Sequence, residues 1–198
     1  MASVQEVKVD NVPISVDECK AAMKVFGLRN DYENPQQVTI IADIVRTVKL
    51  NTATEVYYRF GHRGGKTTTL LVSALLIPTK TQKRVVLITS DNIALQQAII
   101  YINNMIQSRE DHHTDIAKEE SDMNTDEKQR PAMLAFTELT NGDIDTTINN
   151  HDVILLDNSQ LADAKKLKYL IAQVGLSRAI GRDITLFCTT LPDSSIFE

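Results

Sequence analysis

The stretch that decides the fold is RFGHRGGKTTTL, residues 59–70. A short β-prone run, Val56-Tyr57-Tyr58, precedes it, and apolar residues with helical spacing follow from Leu70 onward. A glycine-rich turn between a strand and a helix, ending in Gly-Lys-Thr, is typical of loops that bind phosphate groups. The glycines allow the backbone to curl around an anion, and the helix presents the positive end of its dipole to the same anion.

This loop predicts a site for ATP and Mg²⁺. Lys66 is expected to reach the β- and γ-phosphates, and the Thr67 hydroxyl is expected to bind Mg²⁺. The common pattern G-x-x-x-x-G-K-[ST] places its first glycine at position 60, where this chain has Phe60. The alternative is a glycine-rich turn that binds nothing and leaves Lys66 in solvent. The predicted phosphate contacts are Gly61, His62, Arg63, Gly64, Gly65, Lys66, Thr67 and Thr68.

Composition limits the class of protein. The chain has 198 residues, of which 42% are hydrophobic and 24% charged, and this fits one globular domain. Its net charge of −5 is not that of a nucleic-acid-binding surface, so any DNA contact must come from a local patch or from parts outside this sequence. The two cysteines, Cys19 and Cys188, form no C-x-x-C pair and favour a reducing compartment. With no long apolar run and no signal peptide, we expect an intracellular protein without a membrane partner.

Apolar runs of strand length alternate with segments of helical spacing. Predicted strands cover residues 55–60, 83–90, 132–136, 152–157 and 183–189. Predicted helices cover residues 35–48, 66–77, 91–106 and 161–174. Because the strands are continuously apolar, they indicate a parallel α/β sheet with helices on both faces. Ligands of such sheets bind at the carboxyl ends of the strands, where the glycine loop, Ser90, Asp157 and Thr189-Thr190 are expected to meet.

The domain organisation follows from the same pattern. Residues 1–34 are predicted to be a helical lead-in with a capping box that starts at Ser15, and residues 35–198 the nucleotide-binding domain. Pro78 is expected to end the helix after the glycine loop. Residues 107–130 are polar and acidic, so we interpret them as a long loop. His112 and His113 lie in that segment, where adjacent histidines are more often solvated than metal ligands.

Asp157 completes the predicted site. It ends the apolar run Ile154-Leu155-Leu156 and is expected to hold Mg²⁺ through the ion's water shell, opposite Thr67. The alternative is a capping Asp at a strand end. Many ATPases of this type have a Glu next, which orients the attacking water, whereas this chain has Asn158. Asn can hydrogen-bond a water but is not a carboxylate base, so we expect slow or partner-dependent hydrolysis.

Several other residues could assist in the chemistry. Gln160 or Glu138 could replace the missing carboxylate only if the fold brings one of them to the γ-phosphate. Arg63 is a candidate for stabilising the transferring charge, as an arginine finger does, and Arg59 is a weaker one. Either arginine is equally compatible with an ordinary surface position.

The order of these motifs resembles that of a known group of enzymes. Asn34-Pro35-Gln36-Gln37, the glycine loop, and the strands that end in Ser90, Asp157 and Thr189-Thr190 follow one another along residues 34–192. This series is similar to the ordered motif set of the additional-strand RecA-like P-loop ATPases. That family includes helicases and the large terminase subunits of viral DNA-packaging motors.

The resemblance implies further residue roles. A Pro-x-Gln segment before the phosphate loop recognises adenine in this family, which makes Gln37 the candidate here. Terminase loops often carry Arg in place of the first Gly, and the run from His62 to Thr67 is similar to that variant. Thr189 and Thr190 resemble the coupling motif that relays the γ-phosphate state to the DNA-handling part.

The resemblance implies the ATPase domain of a terminase large subunit, which couples ATP hydrolysis to translocation of double-stranded DNA. It also implies a homo-oligomeric ring or larger viral assembly in the host nucleus or cytoplasm. One alternative is the first RecA-like domain of a helicase, although a helicase needs two such domains and 198 residues hold one. The other is a nucleotide-binding subunit with weak or no hydrolysis, favoured by Asn158. The end at Glu198, soon after the coupling motif, fits a fragment or a split subunit.

Overall fold

The structure is a computed structural model that describes residues 35–52, 55–60, 65–116 and 131–191. The predicted helical lead-in at residues 1–34 therefore lies outside the described residues, as does Cys19. The helices are α1 (Pro35–Leu50), α2 (Lys66–Thr81), α3 (Asn92–Ile116), α4 (Asn141–Asn150) and α5 (Ala164–Ala179). The strands are β1 (Glu55–Arg59), β2 (Val85–Thr89), β3 (Ala132–Ala135), β4 (Val153–Leu156) and β5 (Thr185–Thr190).

The five strands form one sheet in the order β1-β5-β4-β2-β3, and every pair is parallel. The prediction of a parallel α/β sheet is confirmed. Strand β5 is last in the chain but lies between β1 and β4, with Leu156 of β4 and Tyr57 of β1 both paired to Cys188. The carboxyl ends of β1, β5 and β4 are therefore neighbours.

Helices cover both faces of the sheet, as predicted. Alternate residues of β2 point to opposite faces, so Val85 and Leu87 pack with α1, α2 and α3, whereas Val86 and Ile88 pack with α4 and α5. All residues of β2, β4 and β5 are buried, which explains the apolar runs of β2 and β4 and the apolar centre of β5. None of the helices in the described part of the chain is both long and apolar enough to cross a membrane.

Pro78 does not end α2, contrary to the prediction, because the helix continues to Thr81. A proline in the last turn removes only one helical hydrogen bond. The turn is closed by Thr81 Oγ1, which donates to the Ile77 carbonyl at 2.7 Å, and by the N–H of Gln82, which donates to the Pro78 carbonyl at 3.1 Å. Gln82 has the left-handed conformation (φ 59°) that often follows a helix.

Helix α3 extends to Ile116, so the predicted loop at 107–130 is wrong for residues 107–116. Residues 117–130 lie outside the described residues. The prediction ended this helix near residue 106 because its apolar pattern stops there. Residues 107–116, however, contain no Gly or Pro that would interrupt a helix. His112 and His113 accordingly lie in a helix and not in a loop.

Helix α4 was not predicted from the sequence. Its segment, NGDIDTTINN, is rich in residues that also form turns. The helix is started by a capping box, in which the Thr140 side chain accepts from the Asp143 N–H and the Asp143 side chain accepts from the Thr140 N–H. Ile144, Thr147 and Ile148 then bury one helical face.

Helix α5 begins at Ala164 instead of the predicted residue 161 and ends at Ala179 instead of 174. Asp163 sets the start, because its side chain accepts a hydrogen bond from the Lys166 N–H at 2.9 Å. The preceding residues, Ser159–Leu161, form a separate 3-10 turn directly after β4.

Candidate functional site

The candidate site lies at the carboxyl ends of β1, β5 and β4. The chain leaves β1 through Phe60, which is fully buried and donates its N–H to the Thr190 carbonyl at 3.0 Å. Phe60 is thus a core residue, which accounts for the departure from the common loop pattern at position 60. Gly61, His62, Arg63 and Gly64 lie outside the described residues, so their predicted contacts stay predictions.

Gly65 starts helix α2 in a conformation that favours glycine. Its φ of 75° is left-handed, and a Cβ atom at this position would lie 1.6 Å from Nε2 of Gln37. Gln37 is buried, with 4% of its surface exposed. The predicted adenine-recognition residue therefore lies directly against the end of the glycine loop. The Gly65 carbonyl accepts from both the N–H and the hydroxyl of Thr69 at 2.9 Å.

Thr67 and Asp157 meet although 90 residues separate them in the chain. Thr67 Oγ1 donates to Asp157 Oδ2 at 2.5 Å. The other carboxylate oxygen, Oδ1, accepts from Thr189 Oγ1 at 2.7 Å. Asp157 is 1% exposed and makes no ion pair within the described residues. The sequence-based prediction that these two residues lie opposite each other is consistent with this geometry.

The donor set fits Mg²⁺. This ion prefers oxygen ligands, keeps several waters and commonly takes one or two protein oxygens together with phosphate oxygens. The Thr67 hydroxyl and the Asp157 carboxylate supply such oxygens beside the first turn of α2, whose N–H groups are suited to phosphate. Lys66 and Thr68 lie in the same turn and are half-buried.

Residues after Asp157 are tied to β5 by hydrogen bonds. The Asn158 N–H donates to Thr189 Oγ1 at 3.2 Å, and Ser159 Oγ donates to the Thr189 carbonyl at 3.1 Å. Asn158 itself has a left-handed backbone, with φ 52° and ψ 49°. Thr189, a predicted coupling residue, thus contacts three consecutive residues of the β4 end. Ser159 was missed by sequence reasoning, since a lone serine after a strand carries no distinctive signal.

Of the two possible substitutes for the missing carboxylate, only Gln160 lies near Asn158. Gln160 Nε2 donates to Asn158 Oδ1 at 3.3 Å. Glu138 follows β3, and β2 separates β3 from β4. Its carboxylate instead accepts from Asn92 Nδ2 at 2.8 Å.

The remaining predicted residues are divided between the core and the surface. Thr190 is buried at the end of β5, and Arg59 is exposed at the end of β1. Ser90 is buried after β2, and the next residue, Asp91, caps α3 by accepting from the Ala94 N–H at 2.8 Å. Burial, and secondarily the charge of Glu55, raises the pKa of the Cys188 thiol far above its usual range. This thiol beside Thr189 is therefore unreactive.

Comparison with known proteins gave no assignment: a scan against protein-family models found no match, and neither did a search of the curated proteins.

Proposed function

We propose that this chain binds ATP together with Mg²⁺ at the carboxyl ends of β1, β5 and β4. The observation that carries the proposal is the 2.5 Å hydrogen bond from Thr67 Oγ1 to Asp157 Oδ2. It joins the first turn after a glycine-rich loop to the carboxylate after a buried strand, and these are the two protein groups that Mg²⁺ would use. Lys66, in the same turn as Thr67, supplies the cation for the β- and γ-phosphates.

The strand order supports the finer proposal of a RecA-like P-loop fold of the additional-strand type. In the sheet, β5 lies between the strand that precedes the glycine loop and the strand that precedes Asp157. This order places the carboxyl end of β5, with Thr189, between the two strands that lead to the proposed phosphate and metal groups. The contact between Gly65 and Gln37 supports a role for Gln37 at the adenine end of the same site.

The motor function is proposed from the motif order and from Thr189. This residue bonds Asp157, Asn158 and Ser159, so a change at the metal site alters the hydrogen bonds at the end of β5. Such a link suits a domain of a viral DNA-packaging terminase that couples ATP hydrolysis to translocation of double-stranded DNA, in a ring or larger viral assembly inside the host cell. The helicase alternative predicts a second RecA-like domain in the native protein, whereas the terminase proposal predicts a nuclease domain with clustered carboxylates.

A second candidate function is a nucleotide-binding subunit with little hydrolysis. It is favoured by Asn158, which occupies the position after Asp157 and has no carboxylate base to offer. The two candidates agree on ATP and Mg²⁺ binding and differ only in turnover. ATP hydrolysis that double-stranded DNA stimulates favours the motor, and turnover that appears only in Asn158→Glu favours the subunit.

Equilibrium binding of ATP in the presence of Mg²⁺ tests the proposal. Lys66→Ala is expected to weaken binding by about 100-fold, the loss of a charge-assisted interaction of about 3 kcal/mol. Lys80→Ala is the matched control, because Lys80 is exposed in the last turn of the same helix. Equal affinity in wild type, Lys66→Ala and Lys80→Ala would refute the proposal.

A further inference from the structure

Gln160 carries a polar atom that the proposed ATP site does not yet use. Its amide nitrogen bonds Asn158, but its carbonyl oxygen, Oε1, is buried and has no hydrogen-bond partner in the described part of the chain. A buried acceptor without a donor is costly, and native proteins keep few of them. Because a ligand is proposed at this end of the sheet, we expect the donor for this oxygen to come from the ligand or from a water bound with it.

The position of Gln160 is fixed by hydrogen bonds that lead to the proposed metal site. Thr67 and Thr189 both donate to Asp157, the Asn158 N–H donates to Thr189, and Gln160 donates to Asn158. The unpaired carbonyl oxygen is the last atom of this series. Because each link is between 2.5 and 3.3 Å, the series is continuous from helix α2 to Gln160.

The backbone contributes to the same placement. Asn158 has a left-handed conformation, which asparagine tolerates better than most residues. The chain then enters the 3-10 turn Ser159–Leu161, which is anchored to β5 by the Ser159 hydroxyl. In this turn the Gln160 amide contacts the Asn158 amide. Two neutral amide side chains therefore follow Asp157, where many ATPases of this type have one carboxylate.

We propose that Gln160 positions the attacking water for ATP hydrolysis, with Oε1 as the acceptor of one of the water's hydrogen bonds; this inference rests on the proposed ATP site. The water oxygen forms a bond to the γ-phosphorus while the bond from that phosphorus to the β–γ bridging oxygen breaks. The electron pair of the broken bond stays with ADP. An amide takes up no proton at neutral pH, so the water proton passes to a γ-phosphate oxygen, and the products are ADP and inorganic phosphate.

This role agrees with the chemistry of amide side chains. A glutamine that orients water without acting as a base is used by GTPases, where intrinsic turnover is slow and a partner accelerates it. The inference therefore gives a physical reason for slow hydrolysis and for partner dependence. Asn158 acts through Gln160, since its carbonyl oxygen holds the Gln160 amide group in place.

The first test compares Gln160→Met with Gln96→Met. Methionine is similar in length to glutamine but has no carbonyl, and Gln96 is exposed on α3. The Gln160→Met protein is expected to melt within about 2–4 °C of wild type without ligand, because removal of the unpaired acceptor offsets loss of the hydrogen bond to Asn158. Its dissociation constant for ATP should stay within about twofold of the wild-type value, and its single-turnover hydrolysis should fall about tenfold or more. Gln96→Met should match wild type in all three measurements.

The second test is Gln160→Glu, which places a carboxylate base at the same atom position. Single-turnover hydrolysis is expected to exceed that of wild type and to rise with pH as the new carboxyl ionises, near its ordinary pKa of about 4.3 or somewhat above it. If wild-type turnover is too slow to measure, the gain in Gln160→Glu alone tests the proposed role of Gln160.

The outcomes separate the inference from the proposed function. If wild type binds no ATP, both are wrong. If wild type binds ATP and loses binding in Lys66→Ala, but Gln160→Met hydrolyses ATP at the wild-type rate or Gln160→Glu gives no gain, only the role of Gln160 is overturned.

Discussion

The sheet has an amino edge, where its parallel strands begin, and a carboxyl edge, where they end. Charged residues at these two edges have different partners. At the amino edge, two carboxylates are paired with cations: Arg84 bonds Asp152 through its backbone N–H at 2.9 Å and its guanidinium at 3.2 Å, and Lys83 lies 3.8 Å from Asp183. At the carboxyl edge, Asp157 is 1% exposed and is held by two neutral hydroxyls.

This difference separates carboxylates that stabilise the fold from one that fits the ligand site proposed above. A paired, partly exposed carboxylate stabilises the fold modestly, whereas a buried one without a cation costs free energy. Strand β4 shows both cases, since Asp152 precedes it and Asp157 follows it. A cation delivered with a ligand, such as Mg²⁺ with ATP, would supply at the carboxyl edge the charge that Arg84 supplies at the amino edge.

The largest expected stability effect tests the start of α2. Gly65→Ala should lower the free energy of unfolding by about 2–3 kcal/mol, since it combines a left-handed φ with a collision against buried Gln37. Gly181→Ala is the matched control: its φ is 89°, but an added Cβ would meet nothing within 4 Å, so only the φ cost of about 1 kcal/mol applies. Urea unfolding of both variants measures the difference, and equal losses would show that Gln37 does not press on Gly65.

The next prediction compares the two carboxylates that flank β4. Without ligand, Asp157→Asn should raise the free energy of unfolding by about 1–2 kcal/mol, because it removes a buried charge and keeps a polar group for Thr67 and Thr189. Asp152→Asn should lower it by about 1 kcal/mol, because it weakens the hydrogen bonds to Arg84. Thermal melts of the two proteins check the signs. Destabilisation by both would mean that the edges do not differ in the way described.

The effect of Asp152 should also depend on pH. Burial alone would raise the pKa of this carboxyl, but the hydrogen bonds and charge of Arg84 outweigh burial and hold the pKa below its ordinary value of 3.8. A lowered pKa contributes stability that is present above 3.8 and is lost as pH falls through the folded-state value. The stability difference between wild type and Asp152→Asn should therefore be constant above about pH 5 and shrink below it. A difference that persists unchanged at acid pH would contradict this assignment.

The smallest expected effect concerns an ordinary helix start at the carboxyl edge. Thr140→Ala should lower the free energy of unfolding by about 1 kcal/mol, since the Thr140 hydroxyl caps α4. Thr146→Ala, in the exposed part of the same helix, should be neutral or slightly stabilising, because alanine favours helices more than threonine does. Chemical denaturation curves compare them. Equal losses would indicate that packing of α4, and not its cap, is responsible.

Sequence reasoning located the strands well because their apolar runs are continuous and buried. The limits of β4 and β2 differ from the predictions by one or two residues, and the parallel sheet with helices on both faces was predicted from these runs. The position of β5 between β1 and β4 was not predicted, since strand order depends on how the crossovers pack and not on the spacing of the apolar runs.

Helix limits were predicted less well, for reasons that particular residues show. The end of α3 was missed because a polar helix carries no apolar period, and α4 was missed because its Asn, Gly and Asp residues also suit turns. The pair Thr67 and Asp157 was predicted because strand ends converge at one edge. The contact of Gln160 with Asn158 was not, since it depends on the left-handed backbone of Asn158.

The most direct test of the proposed metal–nucleotide site is the Mg²⁺ dependence of ATP affinity in wild type, Asp157→Asn and Asp152→Asn. We expect Mg²⁺ to strengthen ATP binding about tenfold or more, at least about 1.4 kcal/mol, in wild type and in Asp152→Asn. In Asp157→Asn, ATP affinity should be the same with and without Mg²⁺. If Asp157→Asn keeps the full Mg²⁺ dependence, or if wild type shows none, the carboxyl edge of this sheet is not the metal–nucleotide site proposed.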